Sequence, residues 1–373
     1  MYTSIFRFVY ISSYLSGVSY NQPKFCPMVS WKPDAETFAN GSAVGQQTYS
    51  MFIGNNNTVY VAAQGLGVTR MWLEGGQLKT ENVSNFSSAS FNVFVTPNND
   101  IYVYSFSKDG FVIDNQRTLS NNSVEMPHFT DRLRWCCSIS FLSCYESDEC
   151  ISYTNQTSYN SSNSSMHGSV HIWSADTANL SVVMNVNGTC FSIFVDVNNT
   201  IYCSLLEYHM VVKKLVSDDV NNFTTVAGTG MNGSESNMLN YPLGIFVSTN
   251  FSLYVADFAN HRIQQFELDK PNGTTIVERQ ASQTMHLLYP TGVILDGNGF
   301  LFIVDSFNQR VVSSGPNGFR CVVGCSKNDG SAANQLSHPT VLSFDRYGNI
   351  FVLDTANSRI QKFLLATNSC SKS

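Results

Sequence analysis

Three stretches near the end of this 373-residue chain align without a gap, and that recurrence limits the fold more than any other feature. They are Tyr241-PLGIFVSTNFSLYVADFANHRIQQF, Tyr289-PTGVILDGNGFLFIVDSFNQRVVSS and His338-PTVLSFDRYGNIFVLDTANSRIQKF. Pro242, Pro290 and Pro339 stand in register, followed by Asp257, Asp305 and Asp354, then Asn260, Asn308 and Asn357, then Arg262, Arg310 and Arg359. The spacing from one unit to the next is 48 to 49 residues. A fixed period of that length marks stacked supersecondary units, none of which can bury its apolar face alone.

Inside each unit, short runs rich in Ile, Val, Phe and Tyr alternate with Asn, Gly and Asp turns. Gly244-IFV, Ser252-LYVAD and Arg262-IQQF therefore read as consecutive antiparallel strands, with a fourth in Thr225-VAG and its counterpart Cys321-VVG. No window shows a helical period, which excludes a helical solenoid. Four short strands per repeat make the blade of a β-propeller.

Earlier units are worn. Tyr49-SMFIGNNNTVYVA, Phe91-NVFVTPNNDIYVY and Phe191-SIFVDVNNTIYCS keep the strand, turn and strand but lose most of the Asp/Asn/Arg set. The 100 residues between Phe91 and Phe191 are twice the usual interval. Taking Cys137-SISFLSCYESDECISYT and His167-GSVHIWS as a further unit gives seven blades, starting near 49, 91, 137, 191, 242, 290 and 339. The alternative is six blades with an insertion, the least repeat-like segment being 105–167. After Arg359-IQKFLL too little chain remains for a fourth strand, so Lys24-FCPMVSW is expected to complete the last blade and close the ring. That closure would bring Cys26 and Cys370 to the seam as a candidate disulfide.

Charged residues are only 13% of the chain, about half the usual share. The net charge of −6 is spread out, without a Lys/Arg run, which argues against nucleic acid as a partner. Fifteen Asn-x-Ser/Thr sequons stand at 40, 56, 82, 85, 121, 155, 160, 163, 179, 187, 198, 222, 232, 250 and 272. Ten cysteines, without a C-x-x-C pair or a zinc-ligand spacing, read as oxidised pairs. Sugars and disulfides together point to a secreted glycoprotein. Residues 1–19 are apolar and aromatic but interrupted by Arg7, and read as a marginal signal peptide or anchor ahead of a single domain at 20–373. No other stretch is apolar for long enough to span a bilayer as a helix.

At these residues the chain resembles the NHL-repeat family. Asp354-TANSRI matches that repeat's strand end and turn, Asp257-FANHRI and Asp305-SFNQRV follow, and Ala227-GTGMNGSESNMLNYP is similar to its glycine-rich connection. The resemblance implies an all-β, closed β-propeller of four-stranded NHL-type blades. It leaves the activity open, because such propellers serve as peptide-amidating lyases, RNA-binding platforms in ubiquitin-ligase proteins, sensor domains and secreted adhesion modules.

Recurrence of Asp257, Asn260, Arg262 and their counterparts in every well-kept unit argues for a structural role: Asp to accept turn N–H groups, Asn for a left-handed turn, Arg to pair with Asp. A lyase would need several of the seven histidines (His128, His167, His171, His209, His261, His286 and His338) to converge on zinc, whereas their positions read as isolated turn or surface residues. No G-x-S-x-G elbow is present, Gly228-TGMNG lacks a phosphate-loop lysine, and Glu146, Asp148 and Glu149 beside Cys144 and Cys150 read as a disulfide-tied polar loop. The sequence thus assigns no catalytic, cofactor or metal residue. It points to a binding module for a protein or glycan partner, with an extracellular metal-dependent lyase and an NHL ubiquitin-ligase-type or RNA-binding homologue without the RING as alternatives.

Overall fold

The computed structural model describes residues 20–45, 48–63, 67–84, 90–107, 167–174, 176–177, 179–278 and 285–369. They form six four-stranded antiparallel sheets and one two-stranded ribbon. Blade one contains Thr48–Ile53, Val59–Ala63, Gly67–Glu74 and Gln77–Ser84, and blade two contains Ser90–Val95, Ile101–Ser107, His167–Trp173 and Leu180–Asn187. Blade three runs over Cys190–Val195, Thr200–Leu205, Met210–Leu215 and Thr224–Ala227, and blade four over Pro242–Val247, Leu253–Asp257, Arg262–Phe266 and Thr274–Val277. Blade five consists of Pro290–Leu295, Leu301–Asp305, Arg310–Ser313 and Arg320–Val323. Blade six takes Pro339–Phe344, Ile350–Asp354 and Arg359–Phe363 from the C-terminal end and Glu36–Ala39 from the N-terminal end.

Two expectations are corrected. The described chain forms six blades rather than seven, because His167–Trp173 pairs on one side with Ile101–Ser107 and on the other with Leu180–Asn187. Strands flanking the long interval thus belong to one sheet, and the interval is an insertion within blade two. Residues 108–166, including His128 and the expected half-blade at Cys137, lie outside the described residues. The strand that completes blade six is Glu36–Ala39, not Lys24–Trp31. Phe25, Val29 and Trp31 instead bury against Phe302 and Phe344 of blades five and six, and Ser30–Trp31 pairs with Leu365–Thr367. The apolar run that resembles a strand is a packing segment, while the true strand, ETFA, carries too little apolar character to announce itself.

Inner strands of successive blades pack side by side around a common channel, and that of blade six lies against that of blade one. Each inner strand leaves one edge without a strand partner, so its N–H groups need other acceptors. In the worn blades a polar side chain supplies one: Ser50 Oγ accepts Val93 N–H (3.2 Å), Asn92 Oδ1 accepts Ile193 N–H (3.1 Å), and Ser192 Oγ accepts Ile245 N–H (3.4 Å). Blades four and five place Gly244 and Gly292 at the same strand position, which lets neighbouring backbones approach closely; a Cβ on Gly244 would lie 2.5 Å from the Thr291 carbonyl oxygen.

Candidate recognition surface

The channel has two mouths, and the chain's own N-terminal segment occupies one of them. Tyr20 packs its ring on Phe194 (5.3 Å) and Phe246 (5.2 Å) and donates its hydroxyl to the Val247 carbonyl. Asn21 Nδ2 donates to the carbonyls of Gly54 and Phe344, and Gln22 Nε2 to that of Leu295. Three consecutive residues thereby engage five blades at the ends of their inner strands. Burial, with the nearby charge of Asp196, pushes the Tyr20 phenol far up, so it remains a neutral donor.

Phe52, Phe94, Phe194 and Phe246 are the fifth residues of four successive inner strands, and their rings follow one another at 4.8, 5.2 and 5.2 Å. Ile294 and Ser343 occupy that place in blades five and six. The recurrent Phe followed by Val or Ile in the sequence was the available signal for this girdle. With Tyr20 seated, the channel keeps about 110 Å³ of open space. Ligand-sized cavities run from about 300 Å³ upward, so the plugged channel is too small to enclose such a ligand. A larger hollow of about 360 Å³ lies at the outer edge between blades three and four, lined by Tyr202, Phe251 and Leu268 among others, where Lys213 and Asp269 stand 3.7 Å apart.

At the opposite mouth the rim is aromatic. The rings of Phe258, Tyr289, Phe307 and His338 follow one another at 4.8, 4.7 and 5.1 Å across blades four to six, all half-buried. A repeated device holds this rim. Tyr241 and Tyr289, each left-handed at the entrance to a blade, donate their backbone N–H to Nδ1 of His209 (3.1 Å) and His261 (3.0 Å) in the preceding blade; His338 donates likewise to Gln309 Oε1 (2.7 Å). All three acceptors are themselves left-handed, at the end of the turn between the second and third strands. The histidines read as isolated turn residues are thus links between blades. Burial holds His209 and His338 below the usual imidazole range, Asp329 and Asp354 pulling the latter the other way.

Beneath the rim lie the recurrent Asp/Asn/Arg sets. Asp257 Oδ2 accepts Nε–H of Arg262 (2.7 Å) and Nδ2–H of Asn260 (2.8 Å), while its Oδ1 accepts Asn240 N–H (2.7 Å). Arg262 spends its remaining donors on the carbonyls of Ser234, Glu235 and Met238, which fixes the linker entering its own blade. Asp354, Asn357 and Arg359 repeat the arrangement with Ser337 N–H and the carbonyls of Ser331, Ala332 and Gln335. Asp305, Asn308 and Arg310 do so with Leu288 N–H and His286. Burial pushes the three carboxyls up, opposed by these hydrogen bonds and by the guanidinium charge. The linker contacts of the arginines were not legible from the motif.

His167 and His171 lie on one strand, four residues apart, and among the described residues no three of His, Cys, Asp and Glu group to hold a metal ion. Disulfides join Cys190 to Cys203 and Cys321 to Cys325. Cys26 is also disulfide-bonded, and Cys370, its expected partner, lies outside the described residues. The acidic segment near Cys144 and residues 1–19 fall outside them too. No helix among the described residues is long and apolar enough to cross a membrane.

Radial four-stranded sheets about a channel define a β-propeller. The family profile of the NHL repeat matches residues 239–266, which span the first three strands of blade four with the turns between them. The chain is a β-propeller that carries an NHL repeat at residues 239–266. No curated protein sequence matches it. Among solved structures it is similar to a structural genomics protein of unknown function from Bacteroides thetaiotaomicron VPI-5482, with a TM-score of 0.57 at 12% identity over 94% of this chain and 75% of that one. A streptogramin B lyase superposes with a TM-score of 0.52 at 10% identity, over 89% and 97% of the two chains. Virginiamycin B lyase from Staphylococcus aureus gives 0.51 at 8% identity, over 89% and 99%. At these identities the likeness is one of fold.

Proposed function

We propose that this propeller is an extracellular, non-enzymatic binding scaffold that takes a protein partner on the face opposite its N-terminal segment. The observation that carries the reading is the seating of Tyr20, Asn21 and Gln22 in one mouth of the channel, which leaves the other rim as the accessible one. That rim presents contiguous half-buried aromatic rings on a frame fixed by links between blades, and rigid aromatic anchors are what protein interfaces concentrate on. The mild net charge and the absence of a basic run favour a protein over a nucleic acid. Disulfides in the third and fifth blades suit an oxidising compartment.

The test is affinity capture from extracellular fluid with the full chain, followed by mass spectrometry, in parallel with a Phe307→Asp variant and with a Tyr347→Asp variant on the opposite face. Proteins retained by the native chain and by Tyr347→Asp but lost with Phe307→Asp support the assignment. Capture that is indifferent to Phe307 sinks it, and capture of free glycans alone replaces the partner class.

A further inference from the structure

The fold sorts the asparagines into two populations. All ten sequon asparagines among the described residues (Asn40, Asn56, Asn82, Asn179, Asn187, Asn198, Asn222, Asn232, Asn250 and Asn272) are exposed. Asparagines outside sequons include the buried Asn92 and Asn349 and the half-buried Asn21, Asn185, Asn260, Asn308 and Asn357. The carboxamide nitrogen divides them more sharply. Asn21, Asn92, Asn185, Asn260, Asn298, Asn308, Asn349, Asn357 and Asn368 each donate Nδ2–H to a protein acceptor, and none begins a sequon. Leaving Asn187 aside, the nine other exposed sequon asparagines spend no Nδ2–H on the described protein.

Where these sequon side chains do bond, they use the oxygen. Asn56 Oδ1 accepts the N–H of Thr58, Asn250 Oδ1 that of Ser252, and Asn40 Oδ1 that of Ser42, in each case the hydroxyl residue of the asparagine's own sequon. This local turn fixes the carboxamide through its oxygen and leaves the nitrogen without a protein acceptor. We infer that Asn40, Asn56, Asn82, Asn179, Asn198, Asn222, Asn232, Asn250 and Asn272 are N-glycan attachment sites and that blade five is bare of sugar. Residues 273–373 hold no sequon at all. In the transfer, a bond forms between Nδ2 and the anomeric carbon of an oligosaccharide carried on a lipid pyrophosphate. The anomeric carbon–oxygen bond breaks, the lipid pyrophosphate leaves with the electron pair, and the amide proton passes to a base of the transferring enzyme. The inference rests on the extracellular reading above.

The distribution has two consequences. Asn222, Asn250 and Asn272 flank the 360 Å³ hollow, close in sequence to its lining residues Thr224, Phe251 and Pro271, so sugar covers this hollow. Tyr289 and Phe307 belong to the bare blade five, where a partner can approach closely. Glycans also supply the solubility that a surface so poor in charge lacks.

The experiment is expression of the full native chain in a eukaryotic cell line, fractionation into medium and cytosol, and peptide mapping after glycosidase release in heavy-oxygen water, which labels each occupied asparagine. The expected result is label at the nine positions in the chain recovered from the medium. Thr274→Ala, which abolishes the Asn272 sequon without altering Asn272, should remove one mobility step and leave secretion unchanged. A secreted chain without sugar at these positions overturns the site assignment while the extracellular reading stands. An unmodified cytosolic chain overturns both.

Discussion

His261 accepts the backbone N–H of Tyr289 on its Nδ1 at 3.0 Å, so an imidazole of blade four terminates a donor at the entrance to blade five. His209 does the same for Tyr241 between blades three and four, and Gln309 for His338 between blades five and six. A ring nitrogen that accepts a hydrogen bond must be unprotonated, and burial already holds His209 below the usual range.

Stability should therefore depend on pH near the imidazole range. The folded pKa of His209 lies below its unfolded value of about 6.5, so between the two the unfolded chain binds more protons. The contribution is complete above the unfolded value and is lost as pH falls toward the folded one. Melting temperature should drop between pH 7.5 and 5.5, and His209→Gln, which installs the acceptor nature uses at Gln309, should flatten part of that drop. An identical pH profile for the variant would show that the link does not titrate.

The buried ion pair of Asp305 with Arg310 makes the second prediction. Both side chains are almost wholly buried and the guanidinium also donates to the His286 carbonyl. Asp305→Ala strands the arginine and the Leu288 N–H and should cost about 3–5 kcal/mol, read by urea unfolding. The double change Asp305→Leu with Arg310→Met removes both charges and should cost less than the single one. The opposite order would show that the pair itself, rather than the stranded charge, holds the blade.

Much of this arrangement was legible because the same backbone geometry, repeated, demands the same residues. Pro242, Asp257, Asn260 and Arg262 recur at fixed spacing since each blade must enter, turn and pin its linker in one way. The blade count was legible only as two alternatives, seven or six with an insertion, because an insertion between the second and third strands of blade two imitates a missing unit. The plug at Tyr20 was not legible for a different reason: Asn21 reaches the Phe344 carbonyl and Gln22 that of Leu295, each more than 200 residues away, and no local pattern encodes such contacts. Left-handed His209, Tyr241 and His261 were equally hidden, since those residue types rarely advertise that conformation.

Close approach between blades four and five gives a third expectation. Gly244→Ala would set a methyl group against the backbone oxygen of Thr291, which has no flexible side chain to move aside. A loss of about 1–3 kcal/mol is expected in thermal or urea unfolding. Gly230→Ala, at a position with open space but a left-handed backbone, is the comparison and should lose about 1 kcal/mol. Equal losses at both sites would mean that backbone conformation rather than contact sets the cost.

The fourth prediction concerns the seam. Asn368 accepts Cys26 N–H on Oδ1 (2.8 Å) and donates Nδ2–H to the Lys24 carbonyl (3.0 Å), while Ser30 and Thr367 share a hydroxyl hydrogen bond of 2.7 Å. These contacts hold residues 24–30 beside 367–368, two positions short of Cys370. Since Cys190, Cys203, Cys321 and Cys325 are paired among themselves, Cys26 has to find its partner elsewhere. Non-reducing peptide mapping should recover Cys26 linked to Cys370. Closing a loop of that length restricts the unfolded chain strongly, so Cys370→Ser should cost about 2–5 kcal/mol. Recovery of Cys26 joined to Cys136, Cys137, Cys144 or Cys150 would instead tie the insertion of blade two to the N-terminal segment and leave the C-terminal end held by hydrogen bonds alone.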